Sequence, residues 1–199
     1  MERTSDEQLL EAVVAGERTA LTILVERYQR ELTGYLNRLV GADWALAQDL
    51  AQETFLRVLR QPTSRGERPF KPWLYAIATN LARDHFKSKS ARLSSPLVAE
   101  HETALVDEAA STEDSALRGE ARDEMVAALN LLNVDIRAAL WLRFYGGLSL
   151  AEIAAAQEVP LGTVKWRIST GLRRLGSVLA ASADGAPRQE ESCESRQPR

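Results

Sequence analysis

Between Leu21 and Leu39 the apolar residues Leu21, Leu24, Val25, Tyr28, Leu32, Tyr35, Leu36 and Leu39 recur at steps of three and four. Such steps put all of them on one face of an α-helix; on a strand, side chains change face at every residue. A stripe of roughly five turns, at 3.6 residues per turn, can be buried only against other long apolar faces. The first fifth of the chain therefore commits it to helix-on-helix packing.

The flanking segments supply partners for that stripe. Ser5 or Asp6 can cap a short helix whose apolar side is Leu9, Leu10, Val13 and Val14, ended near Gly16. Gly41 is placed to end the long helix. Asp43 then caps a third, which turns Trp44, Ala47, Leu50, Ala51, Phe55, Val58 and Leu59 inward. Gln61 to Pro69 breaks the pattern with proline and glycine. A fourth helix starts near Phe70 or Pro72 and runs to about Lys89, with Trp73, Leu74, Ile77, Ala78 and Leu81 inward. In that company Trp73 reads as core rather than as a stacking platform. No segment alternates β-branched residues in the manner of a strand.

Periodicity fades over 93–117, where serine, alanine and acids dominate, and this reads as a flexible acidic linker. A second helical set follows over 118–181. Met125, Leu129 and Leu132 form one stripe; after a break at Asn133, Ile136, Leu140 and Phe144 continue, and Gly146-Gly147 closes that helix. Ser149-Leu150-Ala151-Glu152 fits a capping box. A short helix through Ala156, then Pro160, then a last helix from about Gly162 to Ala181 complete the set. The tail, 182–199, has the composition of a disordered segment. The expected fold is all-α: two small helical domains, a four-helix bundle over 5–92 and a helix-turn-helix domain over 118–181, joined by the linker.

Composition removes several function classes. No apolar run approaches the ~20 residues of a membrane span, so no membrane insertion is expected. The polar start lacks a secretion signal, which points to the cytoplasm. Cys193 is the lone cysteine and His85 and His101 the only histidines, too few for a disulfide or a zinc site. There is no nucleophile–base pair, metal cluster or phosphate loop, so neither an enzyme nor a cofactor is expected. The net charge of −3 hides an uneven distribution. Residues 57–92 are strongly basic, 95–124 strongly acidic, and 160–176 basic with no acid at all. Two basic blocks about an acidic connector suggest two nucleic-acid contacts joined by a tether.

Leu150–Ala156 and Gly162–Ser177, separated by a tight turn, make a helix-turn-helix whose second, basic helix can enter the major groove. Thr163, Lys165, Trp166 and Ser169 are the candidate base readers, with Arg167, Arg173 and Arg174 nearer phosphates. In the third helix Asp49, Gln52, Glu53 and Arg57 fall off the apolar side at helical spacing, free to form a partner surface.

Three stretches together resemble one family. Asp49-Leu50-Ala51-Gln52-Glu53-Thr54-Phe55-Leu56-Arg57-Val58 looks like the helix by which sigma factors dock on RNA polymerase. Phe70 to Asp84 (FKPWLYAIATNLARD) resembles the promoter-reading helix of the extracytoplasmic-function (ECF) group of the sigma-70 family. Gly147-Leu148-Ser149, Glu152-Ile153-Ala154 and Val159-Pro160-Leu161-Gly162-Thr163-Val164-Lys165 resemble that group's second DNA-binding domain. The match spans most of residues 8–176 in the family's order.

The resemblance implies sigma region 2 over 5–92, region 4 over 118–181, and a factor that binds polymerase core and directs initiation at promoters. The implied partners are the β′ clamp helices and β flap of the core, promoter DNA and an anti-sigma protein. The docking residues would be Asp49, Gln52, Glu53 and Arg57. The minus-10 element would be read by the loop residues Ser64, Arg65, Gly66 and Arg68, around a flipped base, and by Lys71, Tyr75, Asn80, Arg83 and Lys87 on the next helix. The linker would thread a polymerase channel built for nucleic acid, its acids acting as an RNA mimic. Its roughly twenty-five residues can extend to ~80–90 Å, enough to join two promoter elements.

Some positions depart from the family pattern. Trp166 follows Lys165 where members usually carry a serine, and several of the recognition helix's usual arginines are missing, which removes phosphate anchors for the minus-35 element. Gln157-Glu158 replaces a leucine and a glycine, which predicts a looser turn. Asn133 stands where a proline often opens a helix. The competing reading is a stand-alone helix-turn-helix regulator, which would have no use for the docking stretch.

Overall fold

The computed structural model describes residues 4–66, 68–93 and 125–184. The linker's acidic core, Cys193 and most of the tail lie outside them. The described residues form helices α1 (Asp6–Val14), α2 (Arg18–Leu39), α3 (Trp44–Arg60), a 3-10 turn (Pro62–Arg65), α4 (Phe70–Leu93), α5 (Val134–Phe144), α6 (Leu150–Gln157) and α7 (Leu161–Asp184). A further helical segment covers 125–130.

The caps act where the sequence places them. Ser5 and Gln8 form a reciprocal capping box at α1, and the Asp43 carboxylate accepts the Leu46 amide at α3. Ser149 and Glu152 form the second capping box, at α6. Asn133 opens α5 by accepting the Asp135 amide, replacing with a side chain what proline would supply by rigidity. The amino end of α4 is served from a distance, since the Phe70 amide donates to the Glu7 carboxylate of α1 at 3.3 Å.

The α2 stripe is the floor of the first half: Leu24, Leu32, Tyr35, Leu36 and Leu39 are fully buried. The Tyr35 hydroxyl is paired with the Thr79 hydroxyl at 2.7 Å, and the Tyr75 hydroxyl donates to Glu31 at 2.8 Å. Burial pushes both phenols well above their ordinary range, so both are neutral at physiological pH. Trp73 is core, 2% exposed.

Several side chains assigned inward are not. Val14, Trp44, Leu59 and Phe144 are each about half exposed, and Met125 is also exposed. Each stands at an end or edge of its stripe, where the helix has turned its arc away from its neighbours.

The two halves do not stand apart. Ala138, Ala139, Leu142, Leu148, Ile153, Ala156 and Val164 share one continuous core with α1–α4. A smaller apolar cluster, Leu132, Ile136 and Leu140, belongs to the second half alone.

Candidate functional site

Three surfaces carry the residues singled out from sequence. The first is on α3. Asp49, Gln52 and Arg57 are exposed and Glu53 is half-buried, on the side away from Ala47, Ala51, Phe55 and Val58. The row is held in place along the helix, with Arg57 Nε donating to Glu53 at 3.2 Å and Arg60 Nη1 3.8 Å from the same carboxylate oxygen. Beside it an apolar groove of about 290 Å³ runs between α2 and α3, with Val25, Phe55, Leu56 and Leu59 among its walls. Leu56 and Leu59, both more than two-fifths exposed, rim this groove, a feature sequence reasoning missed. The available signal was their placement four and seven residues beyond Gln52, one and two turns on, along the same side of the helix.

The second surface is the loop and α4. Ser64 and Arg65 lie in the 3-10 turn, and their side chains fall outside those described. Gly66 follows at φ 61°, in the left-handed region that favours glycine. Lys71 is paired with Glu31 at 3.2 Å, and Lys87 is exposed. Tyr75 is not on an outward face: it is fully buried, edge-on to Tyr35 at 5.1 Å. Its ring completes the α2–α4 packing, so here it is a core residue. Asn80 accepts from Arg83 at 2.8 Å, and Arg83 in turn grips Asp135 of α5 through Nε (3.0 Å) and Nη2 (2.7 Å). These two side chains face the second half of the chain. Arg68 also reaches across, to Glu158 at 3.3 Å.

The third surface is the amino-terminal part of α7. Lys165, Trp166, Ser169, Arg173 and Arg174 are exposed and Thr163 is half-buried. Arg167 departs from its expected place near phosphates. Its Nη2 pairs with Asp135 at 3.1 Å and its Nη1 with Gln157 at 2.7 Å, and its side chain is only 12% exposed. Gln157 explains the arrangement. It is 2% exposed and also donates to the Asp135 carbonyl at 3.0 Å. The turn expected to be loose is thus fastened by a polar network, with Glu158 taking the left-handed conformation (φ 54°) that closes it.

Sequence reasoning also missed Arg137. This guanidinium is 6% exposed. Its Nη1 donates to the carbonyls of Arg38 and Leu39, both at 2.9 Å, and to the Asn130 side chain at 3.1 Å. Its Nη2 donates to the carbonyls of Asn130 and Leu132, both at 3.0 Å. Burial lowers its pKa from the ordinary value; the carbonyl and amide oxygens take up both terminal nitrogens, while Nε is buried without a hydrogen-bond partner. Nothing in a local pattern marks an arginine set among Ile136, Ala138, Ala139 and Leu140. Among the described residues no grouping of His, Cys, Asp or Glu could hold a metal, and no helix is long and apolar enough to cross a membrane.

Residues 24–92 match the family described as Sigma-70 region 2, and residues 122–175 the one described as Sigma-70, region 4. The RNA polymerase sigma-H factor of Pseudomonas aeruginosa is 36% identical over 170 residues, covering 82% of this chain and 88% of that protein. The ECF RNA polymerase sigma-E factor of Escherichia coli K12 is 33% identical over 174 residues, covering 84% and 90%. Two solved structures share the fold. CnrH in complex with the cytosolic domain of CnrY aligns with a TM-score of 0.65 at 24% identity, over 89% of this chain and 99% of that one. The sigma factor RpoE in complex with the anti-sigma factor NepR from Bartonella quintana aligns at 0.63 and 22%, over 80% and 96%.

Proposed function

Since the chain belongs to the ECF branch of the sigma-70 family and is a sigma factor directing transcription initiation, we propose how its surfaces divide that work. Region 2, over 5–92, docks on the core and opens DNA; region 4, over 118–181, holds the upstream element; 93–117 tethers them, and 182–199 is a tail. Asp49, Gln52, Glu53 and Arg57 of α3 take the β′ clamp helices of RNA polymerase core. The observation that carries this is the exposed polar row set directly beside an apolar groove, the mixture a specific interface needs at its rim and centre.

The loop residues Ser64, Arg65, Gly66 and Arg68, with Lys71, Asn80, Arg83 and Lys87 of α4, engage the minus-10 element. Thr163, Lys165, Trp166, Ser169, Arg173 and Arg174 of α7 meet the minus-35 element, and region 4 also contacts the β flap. Arg167 orients the turn through Asp135 and Gln157 rather than touching phosphate. All reacting groups belong to the polymerase, so the chain is not itself an enzyme. It works in the cytoplasm, where the core is. An anti-sigma protein covering the α3 groove would keep it idle; one structural neighbour, RpoE of Bartonella quintana, is itself in complex with an anti-sigma factor.

Binding to purified core and core-dependent run-off transcription test this reading. Replacing Asp49, Gln52, Glu53 and Arg57 together with alanine should lower core affinity at least tenfold, about 1.4 kcal/mol, without lowering the melting temperature. Unchanged affinity would move the docking surface elsewhere.

A further inference from the structure

We infer that Trp166 makes the minus-35 contact selective for thymine, by covering the 5-methyl group of one T·A pair with its indole. This deepens, and rests on, the proposed assignment of α7 to that element.

Trp166 stands in the second turn of α7, the part of a recognition helix that faces base edges. It is 57% exposed, although a side chain of this size gains much from burial. The positions one turn to either side, Gly162 and Ser169, are small and exposed. A helical side chain leans toward the preceding turn, here Gly162. Yet the indole comes no nearer than 4 Å to where a Gly162 Cβ would stand, so it projects from its helix instead of lying along it. The Ser169 hydroxyl is turned back to donate to the Trp166 carbonyl at 3.1 Å. The ring is thus free to enter a groove between two small neighbours, with the exposed Lys165 beside it.

Chemistry selects the base. Indole offers apolar surface and one N–H donor, with no acceptor. In the major groove only thymine presents a methyl group, and its O4 acceptor lies beside it. Cytosine and adenine present amino donors, which indole cannot accept, and the paired acceptors of guanine suit Lys165 better. The serine that family members usually carry can bond to either kind of edge, so tryptophan exchanges tolerance for a methyl-reading contact. Covering one methyl is worth roughly three- to fivefold in affinity.

The test uses the full chain with polymerase core and run-off transcription from promoters randomised across the minus-35 element. Wild type should select a thymine at one position. Deoxyuridine there keeps the base pair and removes only the methyl; it should lower wild-type initiation three- to fivefold. Holoenzyme with Trp166→Ala should initiate less well on the thymine promoter and be indifferent to the uridine exchange, at unchanged helix content by circular dichroism. Trp166→Ser should behave alike. An equal uridine penalty in wild type and variant overturns the inference, as does a selected element without thymine. So does a Trp166→Ala loss of the same size on every sequence, which would mean contact with sugar and phosphate alone. Failure of the underlying assignment looks different: wild type then selects no base at all in the randomised segment, and Lys165→Ala leaves initiation unchanged.

Discussion

Glu158 and Gly171 show how much a single backbone or Cβ position decides. Glu158 holds φ 54°, a conformation a non-glycine residue adopts at a cost of ~1–2 kcal/mol. Its pair with Arg68 is exposed and worth little in return. Glu158→Gly should therefore leave thermal stability unchanged or raise it slightly, while loosening the loop from region 4; a fall in melting temperature would show the pair to be stronger than its exposure suggests. Gly171 is the opposite case. A Cβ there would lie 2.8 Å from both Ile136 Cγ2 and Leu140 Cδ1, so α5 and α7 approach as closely as they do only because it is absent. Gly171→Ala gains ~1 kcal/mol of helix propensity but loses ~1–3 kcal/mol to overpacking, for a net destabilisation of about 1 kcal/mol, to be read as a lower melting temperature. In the sequence this glycine registers only as a gap in the row of arginines. The physical reason is the facing helix, which no window around residue 171 contains.

At the scale of the element, the capping boxes were legible because they are local: donor, acceptor and spacing lie within four residues. The one at α6 also has a pH signature. Hydrogen bonds from Ser149 lower the Glu152 carboxyl below its ordinary 4.5. A depressed acid stabilises the fold above its unfolded pKa, and that contribution is lost as pH falls through the folded value. The stability difference between wild type and Glu152→Gln should thus be present at pH 7 and shrink in melts taken progressively below about pH 4.5; a difference that does not shrink on acidification would argue against this origin. The helices α2, α3, α6 and α7 were legible from periodicity for the same local reason. Tyr75 and Arg167 were misplaced because periodicity tells that a face exists, not which neighbour claims it. On α4 nearly every position from Phe70 to Ala82 is buried, since region 4 covers what would otherwise be its outer side.

For the whole molecule, the packing of one half on the other was the least legible feature. Its fastenings join Arg83 to Asp135 and Arg137 to Leu39, separated by 52 and 98 positions. A pattern read along the chain carries no information about such pairs. The proposed role of the acidic tether is testable at this scale. Converting Glu100, Glu102, Asp107 and Glu108 to their amides should reduce initiation several-fold if these acids mimic RNA in the polymerase channel; unchanged core affinity and initiation would dismiss the idea. The closed arrangement also bears on biosynthesis. Arg137 is the group that satisfies the carbonyls of Arg38 and Leu39, yet the ribosome adds it almost a hundred residues after the helix it completes. While the nascent amino-terminal half waits, those oxygens have only water, and the corner that leads into α3 is at its most frayed. Amide exchange over residues 38–43 of a ribosome-stalled chain should be fast until the codons for α5 have been translated and cleared the exit tunnel.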